Sequence, residues 1–223
     1  MSMRYHQESL QHYQALGNHQ GVVREQINVG TNYLNAREWE KARDLLQQAL
    51  ELSITIAYKQ GEAYTRSVLT RVYYESGLLQ ESYQFALESL RLALEIRDKH
   101  LQTTCYAYLT LITADLGQIE ESMNYIRTTL HLSRVVNTPW FSMTAAIAFA
   151  KLAHYAGNFQ GVKRLLDKIL KYPTLMPLDL HHARALDPES LITEIPEASK
   201  EHDQVIQEVE QILLNHHPNL YGR

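Results

Sequence analysis

Apolar residues recur every three to four positions along most of this chain of 223 residues, and few helix-breaking residues interrupt them. Between Arg4 and Tyr172 the sequence contains one proline, Pro139, which stands where a new helix can begin. This spacing is typical of amphipathic helices, so the pattern predicts an all-α chain.

The pattern also repeats with a period of forty residues, without gaps. One column of the repeat is always large and apolar, and another is always small or short. The members of these columns are Trp39, Leu79, Ile119 and Phe159 for the first, and Gly30, Thr70, Thr110 and Ala150 for the second. Glycine stands two places before the large column in three of the four repeats, with Arg37 as the exception. A glycine there allows the left-handed conformation that ends a helix.

Each repeat therefore predicts a hairpin of two antiparallel helices. One hairpin cannot bury its own apolar face, so consecutive hairpins must stack. The predicted array covers 1–173, with a half hairpin at 4–16 and full units at about 22–55, 62–96, 101–134 and 140–171. Residues 174–223 contain four of the six prolines and predict a degenerate helical cap. Because 4–16 falls in register with a second helix, we expect further repeats or another domain upstream in the natural protein.

Two segments carry a resemblance to the tetratricopeptide repeat family. "VGTNY" with "REWEKA" (Val29 to Ala42) is the better copy of the family pattern, and "LTRVY" with "GLLQES" (Leu69 to Ser82) is the next. The family unit usually has about thirty-four residues, so forty implies longer helices or joints. The resemblance implies a right-handed α-solenoid whose first helices line a concave groove. Units of this length resemble those in sensor regions of bacterial signal-transduction and transcription regulators.

Composition excludes several classes of function. The net charge is −4, from 21 Lys plus Arg against 25 Asp plus Glu, which disfavours nucleic acid and anionic membranes as partners. The longest apolar run is too short to span a bilayer, and the N-terminus has no secretion signal. A single cysteine, Cys105, cannot form an internal disulfide, which favours a reducing, cytoplasmic compartment.

The sequence offers little chemistry of catalysis. No glycine-rich run precedes a lysine followed by Ser or Thr, so a phosphate-binding loop is not predicted. Cys105 lies in the interior of a predicted helix without a neighbouring histidine, which indicates burial. The histidine pairs at 181–182 and 216–217 point about 100° apart on a helix and would chelate a metal poorly. We therefore expect a non-enzymatic protein without a cofactor or metal.

Cationic and aromatic residues on the inward positions of the first helices are the remaining candidates. The residues that we expect to line a partner groove are Arg24, Thr31, Tyr64, Ser67, Arg71, Tyr74, Lys151 and His154. Such a surface suits an acidic or aromatic peptide, a protein segment or a small effector. The alternative is a solvated inner wall without a ligand.

Two functions follow from this interpretation. The first is a non-catalytic interaction or sensor domain within a larger bacterial regulator. The alternative is an assembly scaffold that acts through its outer face or through open repeat ends, which would also allow homo-oligomers.

Overall fold

The computed structural model describes residues 2–138 and 140–155, and these residues are helical apart from the turns between helices. The helices are α1 (Ser2–Ala15), α2 (His19–Asn35), α3 (Trp39–Thr55), α4 (Lys59–Glu75), α5 (Leu79–Glu95), α6 (Lys99–Asp115), α7 (Ile119–Val135) and α8 (Trp140–Tyr155). The prediction of an all-α helical-repeat fold is confirmed. The second helix of the predicted fourth hairpin and the predicted C-terminal cap lie outside the described residues.

A left-handed residue ends each of the first seven helices, at intervals of twenty residues. The residues with positive φ, between 49° and 75°, are Gly17, Arg37, Ala57, Gly77, Arg97, Gly117 and Asn137. After α4, the amide of Gly77 bonds the carbonyl of Tyr74 at 3.0 Å, and the amide of Leu78 bonds that of Tyr73 at 2.9 Å. This pair of bonds is the Schellman motif, which satisfies the last carbonyls of a helix. The turns inside the hairpins and the joints between them are therefore the same structure.

The starts of α2, α4 and α6 differ from the prediction. They lie at 19, 59 and 99, whereas the sequence pattern placed them at 22, 62 and 101. The predicted units at about 22–55 and 62–96 leave Gly61 in the joint between them, but it is buried inside α4. A Cβ atom at Gly61 would come within 2.3 Å of the Tyr58 ring, so the glycine permits a close contact rather than a turn.

Small residues allow the two helices to approach closely in each of the three hairpins that the structure describes in full. A Cβ atom at Gly30 of α2 would lie 2.7 Å from Cγ of Leu46 in α3. In the next hairpin the Ser82 hydroxyl of α5 donates to the carbonyl of Thr70 in α4 at 2.8 Å, and Ser122 of α7 repeats this bond to Thr110 of α6 at 3.0 Å. Each hydroxyl thus satisfies its own hydrogen bond at a buried contact.

The chain divides into two compact units, with the boundary between Tyr108 and Leu109 inside α6. In the first unit the consecutive helices from α1 to α5 pack on one another, and α2 also contacts α4 directly. The core there is built on Leu34, Ala42, Leu46, Leu69 and Val72. In the second unit α7 packs on α8, whose residues from Phe141 to Ala153 are all buried. None of the described helices combines the length and hydropathy that a bilayer crossing requires.

Candidate binding site between α2 and α4

A pocket of about 230 Å³ opens in the first unit where α2 faces the start of α4. Its lining residues are Arg24, Ile27, Asn28, Tyr58, Gln60, Gly61 and Tyr64. We call this the α2–α4 pocket. Two tyrosine rings and one isoleucine supply its apolar surface, while one arginine and two amides supply polar groups. This mixture is typical of sites that bind a small molecule or one side chain of a peptide.

Arg24 is the cation of the pocket and is oriented from α1. Its Nη2 donates to the Tyr13 hydroxyl at 2.9 Å, and its guanidinium carbon lies 5.5 Å from the centroid of the Tyr13 ring. Glu25 lies nearby, with Oε1 3.9 Å from Nε of Arg24, but Glu25 also accepts a 2.8 Å hydrogen bond from His6. The Arg24 side chain keeps 60% of its surface exposed, so it remains accessible to a ligand.

Tyr64 forms the opposite wall and is fixed by a hydrogen bond. Its hydroxyl donates to Oδ2 of Asp98 at 2.7 Å. Burial, together with this bond to Asp98, raises the pKa of Tyr64 to about 12, so the phenol stays protonated at neutral pH. The other oxygen of Asp98 accepts the amide of Leu101 at 2.9 Å and thereby caps α6. Tyr64 therefore links the pocket to the start of α6.

The base of the pocket is formed by the contact between Tyr58 and Gly61. Tyr58 ends the turn before α4, and its ring packs against the backbone at Gly61. Lys59 is the other cation at this end of α4, but it is ion-paired with Glu95 and lowers the pKa of Glu95. Lys59 and Arg24 are about equally exposed, but Lys59 contacts the Glu95 carboxylate directly, whereas Arg24 lies 3.9 Å from that of Glu25, so Arg24 is the group placed to meet an anionic ligand.

Four other predicted groove residues belong to the first unit. The Thr31 hydroxyl donates to the carbonyl of Ile27 in its own helix at 2.8 Å. Ser67 is buried, and so is Tyr74, whose ring meets the edge of Tyr108 at 6.4 Å. Arg71 is half-buried. Neither Thr31, Ser67, Arg71 nor Tyr74 lines the α2–α4 pocket.

The remaining two predicted residues belong to the second unit. Lys151 is buried, and its Nζ lies 2.8 Å from both carboxylate oxygens of Asp115. This pair neutralises the charge that the sequence interpretation assigned to ligand binding. His154 is half-buried, with its ring 6.1 Å from that of Tyr155 at an angle of 74°.

Five lining residues are not among the predicted groove residues, namely Ile27, Asn28, Tyr58, Gln60 and Gly61. Asn28 lies one helical turn after Arg24, so the helical period alone would have placed it on the same face. Tyr58 and Gln60 lie in or beside the turn before α4, where reasoning from mid-helix positions does not reach. The sequence feature that could have indicated Tyr58 and Gln60 is the segment "YKQG", in which a bulky aromatic residue precedes a glycine by three residues.

Reactive groups are scarce in the described part of the chain. Burial raises the pKa of Cys105 to about 12, and its Sγ lies 3.2 Å from the Ser89 hydroxyl. Such a thiol is a poor nucleophile at neutral pH. Over residues 2–138 and 140–155, three or more metal-ligating side chains do not come together.

Comparison with known proteins adds no family assignment. No protein-family model matches the chain, and no curated protein is similar enough to count as a relative.

Proposed function

We propose that this chain is a non-catalytic binding module of the tetratricopeptide type, which recognises a peptide segment or a small effector in the α2–α4 pocket. The observation that carries this proposal is the pocket itself, in which an exposed arginine and two tyrosine rings face one cavity. A larger bacterial signalling or transcription regulator in the cytoplasm is the setting that we propose, with ligand binding read out through neighbouring domains.

Selection of peptides displayed on phage against the whole chain tests this function. We expect an enriched family of peptides whose binding is lost when Asn28→Trp fills the pocket. We also expect Arg24→Ala to weaken binding, because it removes the pocket cation.

Arg91→Ala is the matched control for Arg24→Ala. The Arg91 side chain lies on α5 with 59% of its surface exposed, close to the 60% of Arg24. Binding of the enriched peptides should survive this change. A selection that enriches no peptide, or peptides that bind equally well after Asn28→Trp, would refute the proposal.

A second candidate function, an assembly scaffold, rests on apolar residues outside the pocket. Ile54 and Leu94 occupy equivalent positions near the ends of α3 and α5, and each leaves 51% of its surface exposed. Aliphatic side chains exposed at equivalent positions of successive repeats offer apolar surface to a partner protein. Light scattering at several concentrations separates the two functions, because a scaffold would increase in mass with concentration and Ile54→Ser with Leu94→Ser would prevent this.

A further inference from the structure

Arg71 on α4 differs from the other partly buried cations of the described residues. Arg66 lies 2.9 Å from Glu62, Lys151 lies 2.8 Å from Asp115, and Arg43 lies 3.4 Å from Asp44. Arg71 forms no ion pair within the described residues, and its Nε is buried without a hydrogen-bond acceptor.

A buried donor without an acceptor destabilises a folded protein, because the group has lost its water and gained no partner. Arginine raises this cost further, since its charge is also partly removed from water. The group that best satisfies a guanidinium is a carboxylate, which can accept two parallel hydrogen bonds. Arg71 as a whole is only half-buried, so a change of side-chain rotamer would expose Nε, and the unpaired guanidinium therefore indicates a carboxylate that is supplied by a partner.

Arg71 stands at a defined distance from the α2–α4 pocket. Tyr64, which lines the pocket, and Arg71 are seven residues apart, so they lie two turns apart on one face of α4. At 1.5 Å per residue their separation along the helix axis is about 10 Å. Val68 lies between them on the same face and is half-buried.

A peptide in the polyproline II conformation matches this spacing. This conformation has three residues per turn and rises about 3.1 Å per residue, so side chains three residues apart lie on the same face, about 9 Å from each other. A single amino acid, or another effector as small as one, is too short to span about 10 Å. It would reach the pocket or Arg71, but not both.

We infer that the ligand is an acidic peptide segment that lies along α4 in the polyproline II conformation. It places an aromatic or large apolar side chain in the α2–α4 pocket and an Asp or Glu, three residues away, against Arg71. This inference rests on the proposed function and adds to it the chemistry of the partner and the role of Arg71.

Synthetic peptides test the inference directly. The probe is a set of fluorescein-labelled nine-residue peptides of Ser and Ala with one Phe and one Glu, which stands one to five positions from Phe on either side. Fluorescence polarisation with the whole chain should give the tightest binding at a spacing of three. Replacing that Glu by Gln should weaken binding at least tenfold.

Two variants of α4 form a matched pair. Arg71→Met keeps the aliphatic stem but removes the guanidinium, so the Glu and Gln peptides should bind equally weakly. Arg66→Met removes an arginine of the same helix that is already paired with Glu62, and it should preserve the tenfold preference for Glu. Thermal unfolding should show no loss of stability for Arg71→Met, which eliminates an unsatisfied donor, and a clear loss for Arg66→Met.

The outcomes separate this inference from the proposed function. If peptides bind and Asn28→Trp blocks them, but Glu gives no preference or Arg71→Met leaves the preference intact, the inference is wrong and the pocket function stands. If no peptide of the set or of the display selection binds the wild-type chain, the proposed function fails, and this inference fails with it.

Discussion

At the residue scale, the non-glycine residues at the left-handed turn positions carry a steric cost. Three of the seven left-handed positions hold glycine, whereas Arg37, Ala57, Arg97 and Asn137 hold a side chain that this conformation disfavours. The Schellman hydrogen bonds form at all seven, which shows that the surrounding helices dictate the turn even without glycine. The structure can therefore be stabilised at these positions without any change in packing.

Ala57→Gly should raise the free energy of unfolding by about 0.5–1 kcal/mol, because glycine adopts positive φ without steric cost and this gain exceeds the added freedom of the unfolded chain. Ala57 is exposed with φ of 52°, so no buried contact is lost. Urea denaturation measures the change. The control is Ala36→Gly, since Ala36 is exposed but right-handed, with φ of −82°. That change should destabilise, and a stabilising result for both would contradict the explanation.

Cys105 should be inert in the native protein. With its pKa raised by burial to about 12, only about one thiol in ten thousand is ionised at pH 8. A thiol reagent such as Ellman's should therefore modify it at the rate of unfolding and react with it fully in urea. Rapid modification in native buffer would show that the site is open.

The same raised pKa predicts a loss of stability in alkali. Below about pH 9, the ordinary pKa of a thiol, Cys105 is protonated in both the folded and the unfolded states. As the pH rises from there towards 12, the unfolded state loses its proton first, so unfolding becomes more favourable. Cys105→Ser should reduce this alkaline slope in denaturation measured from pH 8 to 11.

At the scale of elements, Asp98 joins three helices. It follows α5, caps α6 through the amide of Leu101, and accepts the hydroxyl of Tyr64 from α4. We expect Asp98→Ala to destabilise by about 2 kcal/mol, since it removes a helix cap and leaves a half-buried phenol without its acceptor. Tyr64→Phe should cost about 1 kcal/mol.

A double-mutant cycle checks this arrangement. If the hydrogen bond exists, the loss in the Asp98→Ala, Tyr64→Phe double variant should be smaller than the sum of the single losses by about 0.5–1 kcal/mol. Additive losses would mean that the two side chains act independently.

The elements also show how far the sequence could predict the structure. The ends of the helices followed from the pattern, because a glycine at positions such as 77 and the large residue after it mark a turn. The starts of α2, α4 and α6 did not follow, since a glycine such as Gly61 can serve a turn or a close contact and only the Tyr58 ring decides between them. The recurrence of the same turn every twenty residues could not be recognised in the sequence, because four of the left-handed positions lack glycine.

Only part of the candidate site could be predicted from the sequence. Helical register placed Arg24 on the inward face of α2 and Tyr64 on the inward face of α4, and both residues line the pocket. Helical register indicates the face of the helix on which a side chain lies, but not the residue that the side chain contacts. Asp115, the partner of Lys151, stands thirty-six residues away in sequence, and Tyr108, which covers Tyr74, stands thirty-four away.

At the scale of the molecule, stability should be local. In the first unit each helix contacts helices one or two places away in the chain. In such arrays the energy is a sum over neighbours, so damage at one place need not unfold the rest.

Hydrogen exchange after a core truncation tests this expectation. Leu46→Ala removes a fully buried side chain from the core of the first unit and should cost about 2–5 kcal/mol. Exchange should accelerate strongly in α2 to α4 and much less in α7 and α8. Met123→Ala, in α7, should accelerate exchange strongly in α7 and α8 and much less in α2 to α4. Equal acceleration in all these helices by either variant would indicate one cooperative unit.

The identical turns have a consequence for how chains of this kind gain and lose length. Excising residues 37–76 would join Ala36 to Gly77, so that a right-handed residue is again followed by a left-handed one and a first helix by a second. Excising 57–96 would likewise place right-handed Ile56 before left-handed Arg97, but it would join a second helix to a first, because that cut falls between hairpins. A deletion of twenty residues would also preserve the turn but would place a first helix where a second belongs. We therefore expect recombination at these turns to preserve the order of helices only in steps of forty residues, and we expect duplications to need no linker.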